Sequence, residues 1–198
     1  MKKIIGILAI GMAVLAFNQA IAQDTGKVSG IGMLGYFMPA DSTVDDRCGG
    51  GVAFGGGVRY AYSPQISIVG ALEYWKGDGE TTIPGVGTGT GSLSTKADYS
   101  LTIMPITVSV IYNIPVQNSA FAPYVGGGLG NYSAKSETGS KSESKSAIGF
   151  HILGGCAYPV SPVVDIIATA KYASAKISDW NDMKVGGLTI TGGVVYSF

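Results

Sequence analysis

The sequence predicts an all-β fold, an eight-stranded antiparallel up-and-down transmembrane β-barrel, in a chain of 198 residues. Three observations favour this fold class. Eight segments alternate apolar and polar side chains with a period of two, the pattern of strands that have one apolar face. The connectors between the segments are alternately long and short, as in barrels with long loops at one end and tight turns at the other. Each segment has roughly ten or more residues, enough for a tilted strand to cross the hydrocarbon layer.

The predicted strands follow one another along the whole chain. They lie at residues 27–38, 51–62, 65–76, 98–113, 121–134, 148–158, 164–176 and 184–198. Short connectors are expected at Ser63–Pro64, Pro115–Ala120 and Pro159–Pro162, and long loops at residues 39–50, 77–97, 135–145 and 177–183. The last strand illustrates the alternation, because Leu188 and Ile190 lie on one face while Thr189 and Thr191 lie on the other.

The N-terminal segment has the pattern of a secretory signal peptide. Lys2 and Lys3 precede an apolar run from Ile4 to Phe17, and small residues lead to Ala22. A charged start, an apolar middle and a small-residue site are the three parts of such a leader. We therefore expect cleavage after Ala22 and a barrel domain at residues 23–198.

Composition excludes several classes of function. Lys and Arg number 13 and Asp and Glu number 13, so the formal charge is zero and a basic nucleic-acid-binding face is not expected. Residues 23–198 contain no uninterrupted apolar run of the length that a membrane-spanning helix needs. With the helical membrane class excluded, a soluble secreted protein or a membrane β-barrel remains.

The positions of the tyrosines help to distinguish a soluble secreted protein from a membrane β-barrel. Tyr124 and Tyr132 share a parity along one strand, and further tyrosines lie near strand ends on the apolar-rich faces. The latter group consists of Tyr60, Tyr62, Tyr74, Tyr112, Tyr158 and Tyr196. We interpret the whole set as two aromatic girdles at the membrane surfaces, the usual position of tyrosine in membrane barrels.

Two segments resemble a known family. The glycine-rich run Pro123–Gly130 and the C-terminal run Gly193–Phe198 are similar to those of the small eight-stranded outer-membrane barrels, porin-like proteins of the outer-membrane protein A and X type. The resemblance implies a bacterial outer-membrane location. It also implies that Tyr196 and Phe198 form the signal read by the barrel-assembly machinery.

Strand parity places a set of charged side chains inside the barrel. With the apolar faces toward lipid, Arg59, Glu73, His151, Asp165 and Lys171 face the lumen. Hydroxyl-bearing residues share this side, namely Thr107, Ser109 and Thr169. Because buried charges need partners, we expect an ion-paired plug. This plug is either a sealed structural network, the interpretation we favour, or a gate whose ion pairs can switch and pass small ions.

Chemistry beyond packing is not expected. His151 could act as a general base, but the sequence places no serine and acid with it as a triad, and one histidine makes a poor metal site. The run Gly30–Gly35 spells a dinucleotide fingerprint without the helix that such a site requires. We therefore expect no catalytic residue, no metal and no cofactor. Cys48 and Cys156 fall near opposite ends of the barrel, so a disulfide between them is not expected.

These observations predict a structural or surface-interaction role carried by the external loops. Asp45, Asp46 and Trp180 are the loop residues that we select as candidate contacts. Outer-membrane lipid and lipopolysaccharide are the expected partners, together with the assembly machinery. The alternatives are a narrow channel for small ions, solutes or apolar molecules and, less favoured, a lipid-modifying enzyme. A soluble lipocalin-like barrel would instead enclose its apolar faces.

Overall fold

The computed structural model describes residues 25–83, 95–116, 119–138, 141–177 and 183–198. Strands make up most of the described chain. In chain order, its elements are β1 (Val28–Pro39), α1 (Ser42–Cys48), β2 (Gly51–Ala61), β3 (Ile66–Ile83), β4 (Thr95–Asn113), β5 (Ala122–Thr138), β6 (Lys141–Ser161), β7 (Val164–Ser174), β8 (Lys176–Ile177), β9 (Met183–Lys184) and β10 (Gly187–Ser197). The predicted leader, residues 1–22, lies outside the described residues.

Eight of the strands close into a barrel in the order β1-β10-β7-β6-β5-β4-β3-β2. Every neighbouring pair is antiparallel, and β10 closes the barrel by pairing with β1, where Gly32 lies opposite Val194. The predicted fold class is therefore confirmed. No helix among the described residues is long and apolar enough to cross a membrane.

The structure corrects several predicted boundaries at the loop end. Within the loops predicted at residues 77–97 and 135–145, the described residues continue the strands, because β3 and β4 pair as far as Ile83 and Thr95, and β5 and β6 as far as Thr138 and Lys141. The first predicted loop contains α1, and the last carries the two-stranded ribbon of β8 and β9. The final strand begins at Gly187 rather than residue 184.

One boundary at the turn end also differs from the prediction. Strand β6 continues past Pro159 to Ser161, with a register shift between these two residues. A proline lacks the N–H that an uninterrupted ladder needs, and a bulge accommodates it without ending the strand.

The outer surface of the barrel is apolar. Leu34, Val52, Ile106 and Leu129 are each more than half exposed on it. An inverted soluble barrel with an apolar interior pocket and a polar exterior is inconsistent with this surface.

Aromatic side chains lie near both ends of the apolar surface. Tyr74 stacks on Phe54 toward the loop end, with ring centroids 5.1 Å apart. Exposed aromatic residues toward the turn end are Tyr60, Tyr62, Tyr112, Phe121 and Tyr196. The girdle prediction was wrong for Tyr124 and Tyr132, which are buried inside the barrel. Their parity on β5 is that of the inner face.

Two apolar clusters fill much of the lumen. The loop-end cluster includes Phe37, Val44, Trp75, Leu101 and Tyr132, and α1 contributes to it from the mouth of the barrel. The turn-end cluster is smaller and consists of Tyr124, Ala157, Ile167 and Val195, with partly buried neighbours. Polar side chains lie between the two clusters.

Pro105 interrupts the wall between β3 and β4. The N–H of Asn113 donates to the carbonyl of Gln65, so hydrogen-bonded positions recur at every second residue from that pair. Counted from that pair, Pro105 lies opposite Glu73 at one of these hydrogen-bonded positions. Another residue there would donate its N–H to the carbonyl of Glu73, but proline has no N–H. Glu73 and Tyr74 of β3 pair with β2, but the register between β3 and β4 shows no partner for them. The wall is therefore weakened beside the middle of the lumen.

Candidate functional site

The centre of the lumen contains an ion pair between Glu73 of β3 and Lys171 of β7. Nζ of Lys171 donates to Oε1 of Glu73, and the two side chains are 9% and 14% exposed for the lysine and the glutamate. Both residues stand on the inner parity of their strands, the positions that sequence periodicity assigned to them. Two opposite charges in this enclosed space neutralise each other, which lowers the cost of burying either one.

Two cavities meet at this ion pair. The larger cavity has a volume of about 70 Å³ open to the centre of a water molecule, and the smaller one about 20 Å³. Glu73, Lys171 and Thr189 line both of them. The smaller cavity continues toward the loop end between Phe37 and Trp75. The ion pair thus separates two enclosed spaces along the lumen.

A second ion pair lies nearer the turn end. Nη2 of Arg59 is 3.5 Å from Oδ2 of Asp165, and these side chains are 11% and 13% exposed. Beside them the hydroxyl of Tyr124 is 2.5 Å from Oγ1 of Thr169 and 3.3 Å from the carbonyl of Ala168. The four charged residues therefore form two separate pairs, and Tyr124 lines the larger cavity together with Glu73 and Lys171.

His151 lies in a polar cluster of its own. Its Nε2 is 2.7 Å from Oγ of Ser109, and its Nδ1 is 3.4 Å from the hydroxyl of Tyr132. The register explains the Ser109 contact, because Gly128 stands between these two residues on the intervening strand and has no side chain to separate them. Sequence reasoning missed this pair, whose members are 42 residues apart. The third partner is a phenol instead of a carboxylate, so the cluster is not a Ser–His–acid triad.

Beyond the apolar wall, the outward-facing side chains of the long hairpins include charged residues. Lys76 and Asp78 on β3 are 3.0 Å apart, and Lys135 and Glu137 on β5 are 2.6 Å apart. Thr102 of β4 lies between the two lysines in the register. The hydrogen bond from Lys76 lowers the pKa of Asp78 below its ordinary value, and Lys135 lowers the pKa of Glu137 in the same way. We call this surface, made of Lys76, Asp78, Thr102, Lys135 and Glu137, the outer charged face.

The candidate loop contacts have different positions. Asp45 and Asp46 are exposed on α1 at the mouth of the barrel, and Trp180 lies outside the described residues. The described residues include no group of three or more potential metal ligands among His, Cys, Asp and Glu. Cys48 and Cys156 do not form a disulfide with each other, as the topology required.

The C-terminal aromatic residues lie on the outside of the barrel. Tyr196 and Phe198 form an edge-to-face pair with ring centroids 5.3 Å apart. The backbone N–H of Phe198 donates to the carbonyl of Val28, so the chain end remains attached to the first strand. Phe198 is 79% exposed, which leaves its ring available for contact. The segment Gly30–Gly35 lies within β1 and opens no helix.

These features define a class of protein. A closed eight-stranded barrel with an apolar outer wall, aromatic residues at both ends of that wall and paired charges inside is a membrane β-barrel. The chain belongs to the outer membrane protein beta-barrel domain family, whose model matches residues 6–198. It is accordingly a protein of the bacterial outer membrane. In such barrels the short turns face the periplasm and the long connections face the exterior.

Solved structures share this fold at low sequence identity. OprG of Pseudomonas aeruginosa is 18% identical with a TM-score of 0.61, covering 91% of this chain and 99% of that one. Neisserial surface protein A is 18% identical with a TM-score of 0.59, covering 88% and 98%. Ail, the attachment invasion locus protein of Yersinia pestis, is 18% identical with a TM-score of 0.52, covering 88% and 100%. The resemblance to small outer-membrane barrels is confirmed. No curated protein sequence matches the chain.

Proposed function

We propose that the protein is a non-enzymatic surface protein whose long hairpins contact lipopolysaccharide outside the barrel. The observation that carries this proposal is the extension of the paired strands beyond the apolar wall. Strand β3 continues for nine residues past Tyr74 to Ile83, about 30 Å of strand at the usual rise per residue. Because β4 pairs with β3 along this length, the hairpin keeps a fixed shape and loses little entropy on binding.

The outer charged face supports the choice of lipopolysaccharide. Lys76 lies two residues beyond Tyr74 on the same face, close to where lipid head groups begin. Lys135 lies six residues beyond the lipid-facing Leu129 on β5, and only Thr102 separates it from Lys76 in the register. Each lysine has three donor hydrogens, so it can bind a phosphate oxygen while it keeps its carboxylate partner.

A binding measurement with purified lipopolysaccharide tests the proposal. The refolded protein is placed in nanodiscs of neutral lipid and titrated with lipopolysaccharide or with the same material after removal of its phosphates. We expect Lys76→Gln combined with Lys135→Gln to lower the affinity at least about tenfold. Lys27→Gln, a change at the turn end, serves as the matched control. Equal affinity of the double variant and the wild type would refute the proposed contact.

The packed lumen supports a surface role over a permanently open pore. The loop-end and turn-end clusters occupy both halves of the lumen, and the Glu73–Lys171 pair lies between them. An eight-stranded barrel is just wide enough for side chains to fill it. The Ser109–His151 pair lies inside this packed space, where a lipid head group has no access. This placement supports a non-enzymatic role.

The exposed C-terminal ring supports a role in assembly. We propose that the barrel-assembly machinery binds Phe198 and Tyr196 before the barrel closes. Phe198→Ala is expected to reduce the amount of folded protein in the outer membrane of living cells, with unchanged refolding from urea into detergent. Phe121→Ala removes another exposed aromatic ring at the same end and is the control. Equal loss in both variants would assign Phe198 to general membrane anchoring.

A second candidate function is a gated channel for small ions or solutes, and the two cavities that meet at the Glu73–Lys171 pair favour it. Glu73→Ala removes the carboxylate that holds Lys171 across the lumen. If the pair is a gate, single-channel recordings in a planar bilayer will show a higher conductance for this variant than for the wild type. Absence of conductance from both proteins, each shown to be folded by its heat-modifiable gel mobility, would exclude the channel.

A further inference from the structure

Helix α1 occupies the external mouth of the barrel. Val44 is only 2% exposed and packs in the loop-end cluster with Phe37 and Trp75. Cys48, one turn further along the same helix face, lies against Gly77 of β3, where an added Cβ would come within 2.6 Å of the ring of Trp75 and within 2.7 Å of the Cβ of Cys48. The glycine allows the helix to rest directly on the inner face of the strand.

The two ends of α1 are attached differently. Before the helix, the N–H of Ala40 donates to the carbonyl of Gly186, and Oδ2 of Asp41 accepts the N–H of Lys184, each at 3.0 Å. After the helix, Gly49 has a positive φ of 63° and two further glycines follow it before or at the start of β2. The first end is anchored to the segment that leads into β10. The second end has the conformational freedom of a hinge.

The apolar contact that keeps α1 in the mouth is small. Within Ser42–Cys48, the side chains at Val44 and Cys48 share one helical face and are the only apolar ones. A helix of seven residues is not stable on its own, so α1 depends on this contact and on its anchored end. Removal of Val44 from the cluster would open the mouth toward the smaller cavity, which Phe37 and Trp75 line.

We propose that α1 is a hinged lid that closes the external mouth and swings out from its anchored end at Ala40 and Asp41, with Gly49 as the flexible connection, to admit solutes to the lumen. This inference deepens the channel candidate and rests on it, since it names the element that controls entry to the Glu73–Lys171 pair. In the closed position, Val44 fills the space above Trp75 and Leu101. In the open position, the mouth is lined by the inner faces of β1, β3 and β4.

The lid can be locked through the native Cys48. Gly77→Cys, in a Cys156→Ala background, brings a second thiol against Cys48. The present separation of 2.7 Å is shorter than the roughly 3.5–4.5 Å between the Cβ atoms of a disulfide, so the helix must move outward by about 1 Å to bond. The added side chain crowds both Trp75 and Cys48, so the reduced variant is a wedge beneath α1 that favours the open lid. Gly77→Ser has the same wedge and no thiol.

Single-channel recording then tests the lid in one protein under two redox conditions. We expect Gly77→Cys to conduct in dithiothreitol and to fall silent when oxidised, whereas Gly77→Ser conducts equally in both. Val44→Asp should raise the open fraction at least about tenfold, and Val44→Ile should behave as the wild type. Equal conductance of oxidised and reduced Gly77→Cys would overturn the lid.

A thiol-labelling measurement separates failure of the lid from failure of the channel. Cys48 is labelled with a membrane-impermeant maleimide in Cys156→Ala protein with Val44, Val44→Asp or Val44→Ile. A moving lid predicts a labelling rate at least about tenfold higher for Val44→Asp than for the other two, whether or not any variant conducts. If the Glu73→Ala variant also shows no conductance, the channel is excluded. Faster labelling of Cys48 in the Val44→Asp variant still supports the lid in that case. Equal labelling rates would overturn the lid.

Discussion

Removal of the central carboxylate is the most informative perturbation of the barrel. Glu73→Ala leaves the ammonium group of Lys171, which is 9% exposed, without the partner that now accepts its hydrogen bond. Among the described residues, the second carboxylate largely buried in the lumen is that of Asp165, and it is already paired with Arg59. Loss of one partner of a buried pair typically costs about 3–5 kcal/mol. The two adjoining cavities allow some solvation of Lys171, so we expect a loss near the lower end, about 3 kcal/mol.

Urea titration of the protein refolded into lipid vesicles measures this loss. In a Trp180→Phe background, the remaining tryptophan fluorescence comes from Trp75, which is buried two residues from Glu73 and reports the opening of the lumen. The companion variant Glu73→Leu with Lys171→Met removes both charges, and we expect it to recover most of the lost stability because no charge remains unpaired. Asp78→Ala, which breaks an exposed pair, should leave the unfolding midpoint unchanged. An unfolding free energy for Glu73→Ala within about 0.5 kcal/mol of the wild type would refute the reasoning.

Two further predictions concern the wall and the outer charged face. Gly128→Ala should abolish heat-modifiable folding on gels, because its Cβ would lie 1.9 Å from the carbonyl oxygen of Val108, whereas Gly70→Ala has open space around it and should fold normally. Equal folding of the two variants would contradict the packing. The carboxyl of Asp78 should titrate below its ordinary range in NMR spectra, because Lys76 lowers its pKa, and Lys76→Met should move the midpoint up. The stabilisation from this pair is present above the ordinary carboxyl pKa and disappears as the pH falls through the lowered value. A midpoint that Lys76→Met does not move would assign the shift to another cause.

The wall of the barrel could be predicted because lipid imposes a simple rule on it. Every second residue of a lipid-facing strand is apolar, so periodicity alone assigns an inner and an outer face, as it did for Glu73 and Lys171. The rule failed for Tyr124 and Tyr132, since glycines occupy the neighbouring inner positions 126, 128 and 130 of β5. Because the inner positions between Tyr124 and Tyr132 are glycines, these two tyrosines are the large residues in an otherwise small pattern. In the sequence they therefore have the same appearance as large lipid-facing residues.

The hairpins beyond the membrane escaped prediction for a different reason. Their segments are rich in serine, threonine and glycine and have no apolar face, so periodicity indicates loops. Their strand structure depends on backbone hydrogen bonds between partners, and composition does not encode these bonds. Helix α1 is too short to leave a periodic pattern, and Val44, which is deeply buried, gains its role from the barrel mouth.

Contacts across the lumen depend on register, which sequence periodicity leaves open. Ser109 and His151 meet because β4, β5 and β6 pair in one register with Gly128 between them. A shift of one strand by two residues would preserve every inner and outer assignment and separate the pair. For the same reason, the sequence identified the charged residues of the lumen without their division into the Glu73–Lys171 and Arg59–Asp165 pairs.

Labelling of intact cells tests most directly the central claim that the long hairpins lie outside the cell. In a background without Cys48 and Cys156, one new thiol is introduced by Ser142→Cys on the β5–β6 hairpin and another, in a separate variant, by Gln65→Cys at a short turn. We predict that a membrane-impermeant maleimide labels Ser142→Cys in intact cells and labels Gln65→Cys only after the outer membrane is permeabilised. Labelling of Gln65→Cys alone in intact cells would contradict the proposed orientation and the surface role that depends on it.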